Sequence, residues 1–148
     1  MRIALGADDQ AHVVDVIIET LTSGGHDVTR YGKAAGEAEE WGRTARRVAE
    51  AVAAGRADWG VVCCWTGTGV SIAANKVSGV RAALCADAET ARGARKWNDA
   101  NVLALSLRST SEQVAKEILA AWESESYGGT EAESLGVLAD LDGQRPGT

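Results

Sequence analysis

The sequence predicts an α/β protein built on a parallel sheet with helices on both faces. Two observations carry this. Short apolar runs alternate with amphipathic stretches about five times along the 148 residues, a pattern that calls for crossover connections between parallel strands. The run from Trp59 to Cys63 is apolar and valine-bearing, as befits a strand buried on both faces.

The elements follow in order. Arg2 to Gly6 reads as a strand, with Asp8 or Asp9 capping the next helix. Val13, Val14, Ile17, Ile18 and Leu21 repeat at helical spacing, and Gly24-Gly25 stops that helix. Val28 to Tyr31 reads as a strand, Lys33 to Glu40 as an acidic loop, and Trp41 to Ala54 as a helix ending at Gly55. After the strand Trp59 to Cys63 comes a tight loop, Cys64 to Gly69, then a helix from Val70 to Lys76. Val80 to Leu84 is strand-like, Asp87 to Lys96 helical, and Val102 to Leu105 strand-like. Ser111 to Glu125 is amphipathic, with Val114, Ile118, Leu119 and Trp122 on one face. A Gly-rich link leads to a helix from Glu131 to Leu141 and a frayed end. Residues 1–148 read as one domain.

Composition excludes several classes. Net charge is −6, and the densest basic group, Arg92, Arg95 and Lys96, reads as a solvated helix face, so nucleic acid is not the expected partner. No stretch approaches the ~20 apolar residues of a membrane helix, and Met1-Arg2 leads straight into a strand, so a cytoplasmic location is the expectation. Three cysteines, two of them adjacent, read as reduced thiols. With two histidines and no CxxC or HExxH, neither a metal nor a cofactor is expected.

In a parallel sheet, ligands bind beyond the carboxyl ends of the strands, where the loop Cys64-Trp65-Thr66-Gly67-Thr68-Gly69 falls. Its glycines let backbone N–H groups turn toward a ligand, and the following helix adds a positive dipole end. That arrangement suits a phosphate or a developing oxyanion, and a Cys64 thiolate beside it is placed to remove a carbon-bound proton. A structural turn holding an inert cysteine is the plain alternative. Asp8 and Asp9 end the first strand on the same edge, suited to acid/base work or to sugar hydroxyls; one serves as a helix cap. Asn98 reads either as a ligand for a substrate oxygen or as turn chemistry. His12 reads as a surface residue one turn into the first helix, and His26 has no evident partner.

The run Thr66-Gly67-Thr68-Gly69-Val70-Ser71-Ile72-Ala73-Ala74-Asn75-Lys76-Val77 resembles the signature of the ribose-5-phosphate isomerase B and galactose-6-phosphate isomerase family. Gly79 to Cys85, Asn98 to Leu105, Arg2 to Asp8 and Gly25 to Val28 resemble it too, so the likeness runs from Met1 to about Gly129. It implies a Rossmann-like three-layer α/β/α sandwich with a five-stranded parallel sheet. It implies metal-independent aldose–ketose isomerisation through a cis-enediolate, and a homodimer or dimer of dimers with sites shared between subunits. Residue by residue, Cys64 matches the catalytic base; Thr66 and the backbone from Gly67 to Ser71 match the enediolate site. Asp8 matches an aspartate of the site, Asn98 an asparagine, and Arg108 an arginine that contacts the sugar phosphate.

The departures form a pattern. Asp9, Trp65 and Trp97 stand where relatives carry a histidine, a glycine and the ring-opening histidine. Glu40-Trp41-Gly42 replaces Asp-Tyr-Pro, and Gly128-Gly129-Thr130-Glu131 replaces a run containing an arginine. Lost bidentate cations and an added carboxylate disfavour a phosphate dianion. Trp41, Trp65 and Trp97 are assigned to the substrate pocket, where indoles stack on sugar faces; Trp59 and Trp122 are assigned to the core. The expected substrate is a carbohydrate or related carbonyl compound lacking a phosphate. A pentose-phosphate type substrate anchored by Arg108, or a partner subunit completed by a paralogue, are the alternatives. The tail from about 128 is expected to pack on a partner.

Overall fold

The computed structural model describes residues 1–144. Five strands, β1 (Arg2–Ala7), β2 (Asp27–Gly32), β3 (Trp59–Cys64), β4 (Ala82–Leu84) and β5 (Val102–Ser106), alternate with helices. The helices are α1 (His12–Ser23), α2 (Trp41–Ala53), α3 (Thr68–Asn75), α4 (Ala88–Asn98), α5 (Glu112–Ser124) and α6 (Ala132–Gly143). The sheet runs β2-β1-β3-β5-β4, and every pairing is parallel. The five-stranded parallel architecture expected from the sequence is therefore the observed one.

β3 is central and buried at every position. Successive residues of a strand face opposite sides, so β3 feeds two cores. Trp59, Val61 and Cys63 join the layer beneath α1, α4 and α5, together with Ile17, Leu103 and Trp122. Val62 and Cys64 join the layer beneath α2 and α3, together with Val48, Val70 and Ala104. Trp59 and Trp122 lie in the first layer with ring centroids 6.0 Å apart, the core role assigned to them.

Several local expectations are corrected. Neither Asp8 nor Asp9 caps α1: its N-cap is Ala11, with no side-chain cap bond, and the Asp9 carboxylate instead accepts from the Gln10 amide at 2.8 Å. The chain spends four residues reaching α1, too far for a cap at position 8 or 9. Within the acidic loop, Lys33–Ala35 forms a 3-10 turn. Helix α3 begins two residues early, at Thr68, because Gly67 takes the left-handed conformation and reverses the chain there. Strand β4 starts late, at Ala82. His12 opens α1 and lies 2.8 Å from Glu112. His26 does have partners: the N-terminal amine at 3.2 Å, Glu123 at 3.2 Å and the edge of Trp59. Arg95 is no solvated face residue. It lies over the Trp122 ring, 5.2 Å from the centroid, and donates to the Ala100 carbonyl at 2.7 Å. The fraying expected past Leu141 falls partly on residues 145–148, outside those described.

The outer edge of β4 is closed by a side chain. The Asn75 amide donates to the Ala82 carbonyl at 2.9 Å and accepts from the Ala82 amide at 2.8 Å, which imitates a neighbouring strand. Asn75→Ala leaves both groups unmet at a half-buried site and should cost about 1–3 kcal/mol, read as a lower urea midpoint with an unchanged slope.

Candidate active site

The order β2-β1-β3-β5-β4 reverses direction between β1 and β3, and a parallel sheet opens a crevice at the carboxyl end of that junction. Ala7 pairs with Cys63 in register, so Asp8 and Cys64 emerge side by side. The Asp8 amide donates to the Cys63 carbonyl at 3.3 Å. On the other flank Cys64 pairs with Ser106, and Arg108 follows as an exposed residue at the same edge.

Cys64 is the last residue of β3 rather than a loop residue, with 5% of its surface exposed. Cys63 and Cys85 are held as protonated thiols. Burial pushes the Cys63 thiol up to about 12, with the Cys64 and Asp8 charges adding to the shift. Burial likewise pushes Cys85 up to about 12, aided by Asp87. Strand alternation sends the two neighbours to opposite faces: Cys63 faces the layer of α1 and α5, Cys64 the layer of α3.

The Gly-Thr-Gly loop is held tightly. At Gly67 the φ of +76° admits glycine, and an added Cβ would lie 2.6 Å from Leu84 Cδ1 and 2.9 Å from the Leu105 carbonyl carbon. Next to it the Thr66 and Thr68 hydroxyls lie 2.7 Å apart, both residues exposed. Thr68 opens α3, and its first-turn amides present partial positive charge at the mouth. Ser71, half-buried in the same turn, turns its amide back to the Gly67 carbonyl at 3.3 Å. Gly69 lies under the Trp41 indole, whose Cε3 would be 3.0 Å from an added Cβ.

Trp41 also closes a recess of about 370 Å³ lined by Asp8, Lys33, Ala38, Glu39, Glu40 and itself. Carboxylates dominate it. The Asp8 carboxyl is raised above the usual carboxylate range, first by burial and then by the Asp9 charge, with Lys33 opposing. Glu39 is engaged by Arg47 at 3.0 Å and by the Thr44 hydroxyl at 2.9 Å. Arg47 also reaches Glu37 at 3.2 Å and lies over the Tyr31 ring. Larger recesses exist, about 830 Å³ between α2 and α3 and about 600 Å³ under α6, but neither holds a cysteine.

Two expected site residues are elsewhere. Asn98 is the final residue of α4, and Trp97 precedes it. The chain runs on through Asp99, in the left-handed conformation, and enters β5 at Val102. They therefore lie at the amino edge of the sheet, a full length of β5 from Cys64, roughly 13–17 Å. Within one chain the fold does not bring them to the crevice; Asn98 lines the recess under α6 instead. The Trp97 indole folds back onto Gly93, where an added Cβ would meet it at 2.9 Å. Asp8, Asp9, Trp41, Trp65, Thr66, Gly67, Thr68, Gly69, Ser71 and Arg108 all belong to the carboxyl edge or the turns leaving it. Trp41, Trp65 and Trp97 are 45%, 62% and 50% exposed, so none is core. The structure adds Lys33 and Ser106 to this edge. Each directly follows or ends a strand, and the carboxyl-edge rule would have flagged Lys33 once β2 was placed.

A parallel sheet with a buried cysteine beside a Gly-rich turn at its switch point defines a Rossmann-like α/β enzyme scaffold. The comparisons make the class specific. A match to the Ribose/Galactose Isomerase family spans residues 3–137. Ribose-5-phosphate isomerase B of Escherichia coli (strain K12) is 35% identical over 146 residues, covering 97% of this chain and 98% of that protein. D-erythrulose-4-phosphate isomerase of Pectobacterium atrosepticum is 40% identical over 138 residues, covering 91% of each. The solved structure of Clostridium thermocellum ribose-5-phosphate isomerase B superposes with a TM-score of 0.91 at 35% identity, over 97% of this chain and 99% of that one. This chain belongs to the ribose/galactose isomerase family.

Two outcomes follow from the geometry. Gly67→Ala combines a left-handed backbone with a main-chain clash and should cost about 3 kcal/mol of stability, measured by urea unfolding. Asp8, with its carboxyl raised in the folded state, binds its proton more tightly there than when unfolded. Its contribution is most favourable below the ordinary carboxylate value and is lost as pH rises through the raised one. Asp8→Asn should therefore raise the melting temperature at pH 7 and leave it unchanged near pH 3, as followed by calorimetry.

Proposed function

We propose that the chain is a metal-independent aldose–ketose isomerase that uses Cys64 as its base, on a sugar or sugar-like substrate whose recognition does not centre on a phosphate. The observation that carries the reading is the placement of Cys64 at the end of β3, beside Asp8 and below the Thr66-Gly67-Thr68 turn. Cys64 takes the proton from C2 of the open-chain aldose, and the carbonyl oxygen becomes an enediolate oxygen. The Thr66 hydroxyl and the backbone amides at the start of α3 stabilise that charge. Asp8 relays the proton between the two oxygens, a role served by a carboxyl that holds a proton more readily than usual. Cys64 then returns its proton to C1, giving the ketose with no net change in atoms.

The acidic recess supports a substrate end bearing hydroxyls. A phosphate dianion there would meet Asp8, Glu39 and Glu40 against the single cation Lys33. Asp9, beside Asp8, adds further negative charge; hydroxyls donate to carboxylates, and the Trp41 face offers a stacking surface. One observation favours a phosphorylated substrate instead: Arg108 follows β5 at the same edge, on the side away from the acids. The relatives named for ribose-5-phosphate and D-erythrulose-4-phosphate agree with that second reading.

Asn98 and Trp97 lie on the wrong edge to act on Cys64 of their own chain, so in this proposal they serve the crevice of a second copy. Support for an assembly comes from the exposed apolar side chains Trp65, Ile72 and Leu84 and from α6, which buries none of its residues and exposes Val137, Leu138 and Leu141. The tail from about 128 would then pack on the partner. A relative of Clostridium acetobutylicum, 37% identical, is named as a subunit of galactose-6-phosphate isomerase, and in this frame the partner is either a second copy or a paralogue.

The decisive assay incubates the chain in D₂O with D-ribose and D-erythrose, and in parallel with ribose 5-phosphate and erythrulose 4-phosphate. Ketose or aldose formation and deuterium uptake are followed by NMR. Uptake at C2 of an unphosphorylated aldose should fall at least 100-fold in Cys64→Ala. Turnover confined to phosphorylated compounds would establish the Arg108 reading, and turnover that survives Cys64→Ala would remove the cysteine base.

A further inference from the structure

The turn after Cys64 carries a reversed peptide whose support lies on β5. Along β3 the carbonyls alternate sides as expected: that of Cys63 accepts from Asp8, on the β1 side, and that of Cys64 accepts from Leu107 at 2.9 Å, on the β5 side. Continued alternation would send the Trp65 carbonyl back toward β1. It points to β5 again, accepting from the Arg108 amide at 2.9 Å and from the Ser106 hydroxyl at 3.0 Å. The same hydroxyl oxygen accepts from the Ser109 amide at 3.2 Å, and Ser106 is nearly buried. Its hydroxyl thus donates to one loop and accepts from the next.

In a trans peptide the carbonyl and the following N–H point in opposite directions. A Trp65 carbonyl fixed toward β5 therefore turns the Thr66 N–H toward β1, into the crevice that Asp8 borders.

We propose that Ser106 is a positioning residue for the isomerisation: by holding the Trp65–Thr66 peptide in this orientation, its hydroxyl aims the Thr66 N–H at the developing enediolate oxygen. This rests on the Cys64 reading above. Ser106 touches no substrate, and its effect passes through the peptide it holds. The Arg108 amide holds the same carbonyl, so loss of the hydroxyl misaligns the donor rather than removing it, and the expected loss lies below that of deleting an oxyanion donor outright.

The test compares Ser106→Ala and Ser106→Thr in the intact chain, using whichever sugar the wild type converts in the D₂O assay. Ser106→Ala should lower kcat by about tenfold with KM within about twofold, while Ser106→Thr, which keeps the hydroxyl, recovers most of kcat. Hydrogen exchange at the Arg108 amide, which is bonded to the same Trp65 carbonyl, read by NMR without substrate, should accelerate in Ser106→Ala and not in Ser106→Thr. A kcat within twofold of wild type in Ser106→Ala, or unchanged exchange at Arg108, overturns the proposal. A purely structural role would lower the melting temperature of Ser106→Ala and leave kcat unmoved. If the wild type converts none of the sugars, the Cys64 reading falls while the exchange measurement still decides whether Ser106 holds the peptide.

Discussion

Everything at the candidate site depends on the backbone pairing of β3 with β1 on one side and β5 on the other. The register sets Ala7 against Cys63 and Cys64 against Ser106. It thereby fixes which residues leave the sheet together. A one-residue slip in β3 would exchange the faces of Cys63 and Cys64, putting the Cys64 thiol into the layer beneath α1 and α5. The register is secured because both faces of β3 are packed, by Trp59, Val61 and Cys63 on one side and by Val62 and Cys64 on the other.

Charge is the second organising feature. The carboxyl edge collects Asp8, Asp9, Glu39 and Glu40 close to Lys33, and the nearby guanidinium of Arg47 is committed to Glu37 and Glu39. Burial first, and then the crowding of the Asp9 and Glu40 charges, raise the proton affinity of the Asp8 carboxyl, with Lys33 opposing. The same crowding that suits Asp8 to carrying a proton makes this side of the crevice a poor seat for a dianion. In the proposed mechanism, recognition and proton transfer are therefore tied to one electrostatic arrangement, and a change that relieved the repulsion would alter both.

The loop after β3 is restrained rather than free. Gly67 is pressed against Leu84 and β5, Gly69 lies under Trp41, and the Trp65 carbonyl is tied to Ser106 at the end of β5 and to the Arg108 amide just beyond it. Donors that are fixed before substrate arrives need no reorganisation when charge develops on an oxyanion. The restraints come from three different elements, α2, β4 and β5, so the turn is a product of the assembled fold and not of its own sequence.

The sequence by itself determined the sheet class and the helix count, and it placed the Gly-Thr-Gly turn after a buried strand. Valine runs, helical periodicity and glycine stops are local signals, and the Gly-Thr-Gly turn beside Cys64 could be read from six consecutive residues. Its cap assignment for Asp8 or Asp9 failed because a cap depends on how many residues the chain spends between strand and helix, which side-chain type does not reveal. It also left His26 without partners that arrive from Met1 and Glu123, over 20 and nearly 100 positions away. Only the tertiary structure decided that Asn98 and Trp97 lie on the opposite edge from Cys64, because the direction of each strand, not proximity in sequence, sets the edge on which a flanking residue falls. It also decided that Ser106, unremarkable as a serine at a strand end, grips the turn after Cys64: the pairing of β3 with β5 joins residues 41 positions apart, and no local pattern encodes that meeting.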